Sequence, residues 1–130
     1  MAKRVMVVDD DPDIRLFTVS VLEESGYTAM EAANGEEGEQ MIRDNPPDLV
    51  ILDVLMPKES GIRLFRRLKT DPDLKGIPVV MVSGIAEKSF RRSQKVLTEF
   101  GGQPVPEPNA YLEKPVGPEE LAETIRRVLQ

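Results

Sequence analysis

The sequence predicts an α/β fold: a doubly wound parallel sheet of five strands, flanked by five helices. Three observations predict it. The apolar runs Val5–Val8, Leu49–Leu52 and Val79–Val82 do not alternate with polar residues, as expected of strands covered on both faces. Segments with apolar residues at helical spacing lie between these runs. The strand-then-helix order repeats five times, which argues for right-handed crossovers and a sheet sandwiched by helices.

The elements follow in order. Val5–Val8 is the first strand. Asp11-Pro12 reads as a helix N-cap followed by a proline in the first turn, and Ile14, Phe17, Val21 and Leu22 recur at helical spacing behind it. Thr28–Ala32 is a weaker run, suited to a sheet edge. Asn34-Gly35 is a turn, and Gly35–Arg43 carries Met41 and Ile42 on a mostly polar helix. Leu49–Leu52 is the third strand. Ile62, Phe65 and Leu68 mark the third helix, and Gly76-Ile77-Pro78 turns the chain into Val79–Val82. Glu87–Phe100 forms a helix with Phe90, Leu97 and Phe100 above a basic face. The nine residues Gly101 to Asn109 hold three prolines and two glycines, which makes them an extended loop. Ala110–Leu112 is a second edge strand, and Leu121, Ile125, Val128 and Leu129 mark the last helix. Met6, Met30, Met41, Met56 and Met81 read as core filler.

The chain has 130 residues, enough for one domain over 1–130 with its own core. Cysteine and histidine are both absent. Disulfides, thiolate sites, imidazole bases and a phosphohistidine-carrier role are thereby excluded. The net charge of −6 argues against nucleic acid as a direct partner. No apolar run reaches membrane-span length, and Met1-Ala2-Lys3-Arg4 shows no signal-peptide layout, so a cytoplasmic protein without membrane contact is expected.

Sites in such sheets form outside the carboxyl ends of the strands. Asp9, Asp10, Asp11 and Asp13 follow the first strand, Asp53 the third, Ser83-Gly84 the fourth and Lys114-Pro115 the fifth. Asp11 is better read as a helix cap, and Asp13 as a first-turn carboxylate that favours the helix dipole. Carboxylates drawn together repel unless a cation intervenes, and oxygen-only ligands suit a hard divalent ion such as Mg²⁺. A carboxylate beside that ion, a lysine and a hydroxyl is equipped to accept a phosphoryl group.

These residues resemble the receiver domain of two-component response regulators. The resemblance rests on Val7-Val8-Asp9-Asp10-Asp11-Pro12, Leu52-Asp53-Val54-Leu55-Met56-Pro57, Val82-Ser83-Gly84 and Tyr111-Leu112-Glu113-Lys114-Pro115, four motifs in order at four strand ends. It implies the flavodoxin-like strand order 2-1-3-4-5. It also implies that Asp53 accepts a phosphoryl group from a sensor histidine kinase or phosphotransfer protein. Mg²⁺ would be held by Asp10, Asp53 and the backbone carbonyl of Leu55, with Asp9 acting through water or orienting the ion. Lys114 would pair with the phosphoryl group, Ser83 would move toward it, and Tyr111 would then turn inward and alter contacts with a downstream protein target. A cis Lys114-Pro115 bond is implied as well.

Two features depart from the family's pattern. The 101–109 loop lengthens the stretch from Ser83 to Lys114 within the usual signalling face, so neither the standard partner geometry nor that of a dimer carries across. Leu55 and Ile85, two residues after Asp53 and Ser83, are apolar and unable to orient an attacking water, which predicts slow self-dephosphorylation. The chain ends after the fifth helix, so action through protein contacts is expected, with no turnover of external substrates. Two alternatives stand beside this reading. One is a haloacid dehalogenase-like phosphatase built on the Asp9/Asp11 spacing, against which Asp13 stands where a hydroxyl is wanted. The other is a phosphorylation-independent interaction domain. The basic sets Arg63, Arg66, Arg67, Lys69 and Arg91, Arg92, Lys95 read as solvated faces, or else as a docking surface for an acidic partner.

Overall fold

The computed structural model describes residues 2–56 and 60–130. Met1 and Pro57, both used in the sequence reading, lie outside the described residues. The strands are β1 (Arg4–Val8), β2 (Thr28–Ala32), β3 (Leu49–Leu52), β4 (Val79–Ser83) and β5 (Ala110–Glu113). The helices are α1 (Pro12–Glu24), α2 (Gly35–Asp44), α3 (Gly61–Thr70), α4 (Glu87–Glu99) and α5 (Pro118–Leu129). All strand pairs are parallel, in the order β2-β1-β3-β4-β5. The two weaker runs are the two edges, as expected.

Alternation along each strand explains the unbroken apolar runs. Met6, Val8, Val50, Leu52, Val79 and Met81 face a core shared with Ile42 of α2, Leu64, Phe65 and Leu68 of α3, and Phe90 of α4. Val5, Val7, Leu49, Ile51, Val80 and Val82 face the opposite core, shared with Val21 and Leu22 of α1 and Leu121 and Ile125 of α5. Each fully buried side chain of this kind contributes roughly 1.5–3 kcal/mol.

Local chemistry sets the helix ends. The Asp11 carboxylate accepts the amides of Asp13 and Ile14 at 2.9 and 3.2 Å, and Asn34 Oδ1 accepts the Glu37 amide at 2.8 Å. α4 ends in a Schellman turn: Gly101 has φ +97°, and the Gly102 amide donates to the Leu97 carbonyl at 2.9 Å.

The structure corrects several expectations. Phe100 is 86% exposed, because the helix stops at Glu99 and the turn carries that ring away from the core. Ser83 is the last residue of β4, not the first beyond it. The third-helix cations are only in part a solvated face: Arg63 and Arg67 are exposed, whereas Arg66 and Lys69 are half-buried. Arg66 Nη1 donates to Gln94 Oε1 at 3.1 Å, and its Nη2 reaches the Gln103 carbonyl. Arg67 Nη2 pairs with Glu39 at 2.5 Å. Lys69 Nζ donates to the Ile77 carbonyl at 2.6 Å, and burial lowers its pKa. No helix among the described residues is long and apolar enough to cross a membrane.

Candidate functional site

Strand register builds the site. Val8 pairs with Leu52, so the next residues, Asp9 and Asp53, leave neighbouring strands side by side. This lies at the point where the chain order reverses, with β1 flanked by β2 and β3, and crevices form there in open α/β sheets. Two backbone bonds hold the pair in place: the Asp9 amide donates to the Ala32 carbonyl at 3.2 Å, and the Asp53 amide to the Val8 carbonyl at 3.1 Å. Across the sheet, Ser83 pairs with Glu113, and the Lys114 amide donates to the Ser83 carbonyl at 2.8 Å. The Lys114-Pro115 bond is cis.

The side chains then converge. Lys114 Nζ lies 3.0 Å from Asp9 Oδ2 and 3.5 Å from Asp53 Oδ2. The other Asp53 oxygen accepts the Val54 amide at 2.7 Å, and Asp53 is only 7% exposed. Asp9 Oδ1 accepts the Asp11 amide at 3.0 Å. Asp9, Asp10 and Asp53 each offer an oxygen within 4.8 Å of the others, with Asp10 on the exposed side. Such an all-oxygen donor set suits a hard divalent cation.

Burial acts oppositely on the charged partners. It raises the Asp9 pKa, and the hydrogen bonds from the Asp11 amide and Lys114 offset it only in part. Burial also works against the Lys114 ammonium, but the Asp9 hydrogen bond and the charges of Asp53 and Asp9 outweigh it and raise the Lys114 pKa. The cluster therefore holds positive charge tightly while opposing negative charge on Asp9.

The remaining expected residues fall around this cluster. Ser83 is buried, and its hydroxyl accepts the Ile85 amide at 3.2 Å. Tyr111 is half-buried: its hydroxyl donates to the Ile85 carbonyl at 2.6 Å, and its ring lies 5.4 Å from that of Phe90. Burial raises the phenol pKa, opposed by a hydrogen bond with Ser83. Ile85 packs against the core beside Tyr111, whereas Leu55 is 63% exposed beyond Asp53. Asp11 Oδ1 accepts both α1 amides, the helix-cap role expected of it, and Asp11 is not among the three carboxylates that converge.

Two contributors escaped the sequence reading. A Cβ on Gly61 would stand 1.8 Å from the Asp53 carbonyl oxygen, so only glycine lets α3 start this close to the strand end. The Gly61 amide donates to the Val54 carbonyl at 2.7 Å, tying the helix start to the same turn. A glycine opening a helix was the available signal. Arg15 Nη1 donates to the Asp9 carbonyl at 2.9 Å, a contact with no local sequence signature.

Comparison with known proteins points the same way. The family model described as "Response regulator receiver domain" matches residues 5–126. The phosphate regulon transcriptional regulatory protein PhoB of Pseudomonas aeruginosa is 34% identical over 130 residues, covering 100% of this chain and 53% of PhoB. The chain thus spans about half the length of that relative. The polar-differentiation response regulator DivK of Brucella anthropi is 32% identical, covering 99% of this chain and 98% of DivK. Among solved structures, the chemotaxis response regulator CheY4 of Vibrio cholerae superposes with a TM-score of 0.83 at 26% identity, covering 99% of this chain and 100% of CheY4.

Proposed function

Because this chain belongs to the response regulator receiver family of two-component systems, we propose that it is a switch phosphorylated on Asp53. The observation that carries this reading is the meeting of Asp9, Asp10, Asp53 and Lys114 at three strand ends. The donor is a phosphohistidine on a sensor histidine kinase or phosphotransfer protein. One Asp53 oxygen attacks phosphorus in line with the P–N bond. An acyl phosphate forms, the P–N bond breaks, and the imidazole leaves with a proton from solvent.

The chain's own groups supply most of the stabilisation. Lys114 turns from the carboxylates toward a phosphoryl oxygen. Ser83 releases the Ile85 amide and hydrogen-bonds another. Asp10, Asp53 and the Leu55 carbonyl would hold Mg²⁺, with Asp9 acting through water, and the ion would supply charge neutralisation at the equatorial oxygens. Movement of Ser83 disturbs its contact with Tyr111 and so the packing of that ring on Phe90 of α4. The surface offered to a downstream protein changes as a result. The enzymatic act is confined to the chain's own aspartate.

The test is intact mass after incubation with acetyl phosphate and Mg²⁺. One added phosphoryl group is expected, and Asp53→Asn should abolish it. Labelling that persists in Asp53→Asn but vanishes in Asp9→Asn would overturn the assignment.

A further inference from the structure

α4 has two flanks, and the chain itself covers one of them. On the β5 side the 101–109 segment lies against the helix: Arg91 Nε is 3.2 Å from Glu107 Oε1, and Val105 packs on the core that contains Phe90. On the α3 side, Ile62 and Arg63 face Arg92, Val96 and Leu97 across an open groove of about 430 Å³. Arg66 sets the spacing of the two helices through Gln94 and Thr98.

The chemistry of the open groove is specific. Arg15, Arg43, Arg67, Arg91 and Arg126 all have carboxylate partners. Five have none among the described residues: Arg4 and Arg66 donate to backbone carbonyls, Arg127 lies on α5, and the other two, Arg63 and Arg92, stand together on this groove. Val96, 44% exposed, lies four residues beyond Arg92 on α4, and Phe100, 86% exposed, lies four further on, at the cap of the helix. An apolar stripe with guanidinium groups on both walls that have no carboxylate partner among the described residues is the complement of an acidic amphipathic helix.

We propose that the α3–α4 groove docks an acidic helical segment of a partner protein. Its apolar side chains seat on Ile62, Val96 and Leu97, and its carboxylates meet Arg63 and Arg92. A two-fold pairing with a second copy would bring these arginines against their own equivalents, which repel. A phosphate backbone would leave the apolar stripe of Ile62, Val96 and Leu97 uncovered, whereas an amphipathic helix buries it. The inference does not depend on phosphorylation of Asp53.

The test uses two synthetic helical peptides with the same leucine stripe, one flanked by glutamates and the other by lysines. Amide shifts of the full chain are followed by NMR. The glutamate peptide should shift residues 62–66 and 92–100, and R63E/R92E should weaken its binding by about tenfold or more. The lysine peptide should bind only the doubly reversed chain. Equal binding of both peptides, shifts located elsewhere, or full affinity in R63E/R92E would overturn the proposal. So would self-association abolished by R92E, or retention on phosphatidylserine vesicles that the glutamate peptide does not displace. Both arginines are exposed, so the variant should keep its fold and its acetyl phosphate labelling, and that labelling reports on Asp53 separately.

Discussion

Lys114 Nζ lies 3.0 Å from Asp9 Oδ2, although 105 residues separate the two along the chain. This pair, with Asp53 beside it, makes a partly buried cluster of unlike charges in which burial still outweighs attraction at Asp9.

A raised folded-state pKa means that the folded chain holds the Asp9 proton more tightly than the unfolded chain does. The stability this contributes is complete below the usual value of 3.8 and is lost as the pH rises through the folded pKa. Charged Asp9 therefore opposes folding at neutral pH. Asp9→Asn should raise Tm there by about 4 °C, on the order of 1 kcal/mol. The gain should fade toward about pH 4. Calorimetry at acid and neutral pH checks this, and an equal gain at both would remove the titration argument.

The Lys114 ammonium has the opposite sign of effect on the cluster. Its raised pKa gives stability that is present below 10.5 and lost as the pH rises through the folded pKa. Lys114→Met should cost about 1.5–3 kcal/mol at neutral pH, the range for losing a charged hydrogen-bond partner. Mg²⁺ should recover part of that loss, and chelation should remove the recovery. Urea titration with and without Mg²⁺ measures both; no dependence on the ion would count against the carboxylates as its ligands.

Gly61→Ala forces a methyl group to within 1.8 Å of the Asp53 carbonyl oxygen, so backbone must move. A loss of about 3 kcal/mol is expected, at the upper end for overpacking. Because the displaced backbone carries Asp53, acetyl phosphate labelling should fall as well. Wild-type stability and labelling together would show that the helix start shifts freely.

Tyr111→Phe removes one hydroxyl and keeps the ring on Phe90. Loss of the hydrogen bond to the Ile85 carbonyl should cost about 1 kcal/mol. Faster hydrogen exchange at residues 85–90 is expected, with Asp53 labelling retained. Unchanged exchange there would disconnect the tyrosine from the loop after β4.

Leu55 and Ile85 supply no polar group to an attacking water. Leu55→Asn or Ile85→Glu should speed decay of the acyl phosphate by up to about tenfold, below the roughly 10²–10⁴-fold of a fully positioned general base. Decay followed by intact mass decides it, and slower decay in either variant would reverse the assignment.

The elements were legible in the sequence because their causes are local. β-branched runs marked β1, β3 and β4, the Asp11 cap opened α1, and the prolines of 101–109 announced a loop, whereas Asn34-Gly35, read as a turn, is the cap and first residue of α2. The carboxylates, hydroxyl and lysine were legible for the same reason, since each stands where an apolar run stops. Tertiary structure decided which of them meet and at what distance. The Val8–Leu52 register sets Asp9 beside Asp53, and β5 brings Lys114 across to both. It also decided that Arg66 and Lys69 would reach backbone carbonyls, that Phe100 would leave the core, and that Gly61 would touch the strand end. Periodicity along one element reports which of its faces is covered. It carries no record of what another element places opposite, and long polar side chains take their partners from that packing.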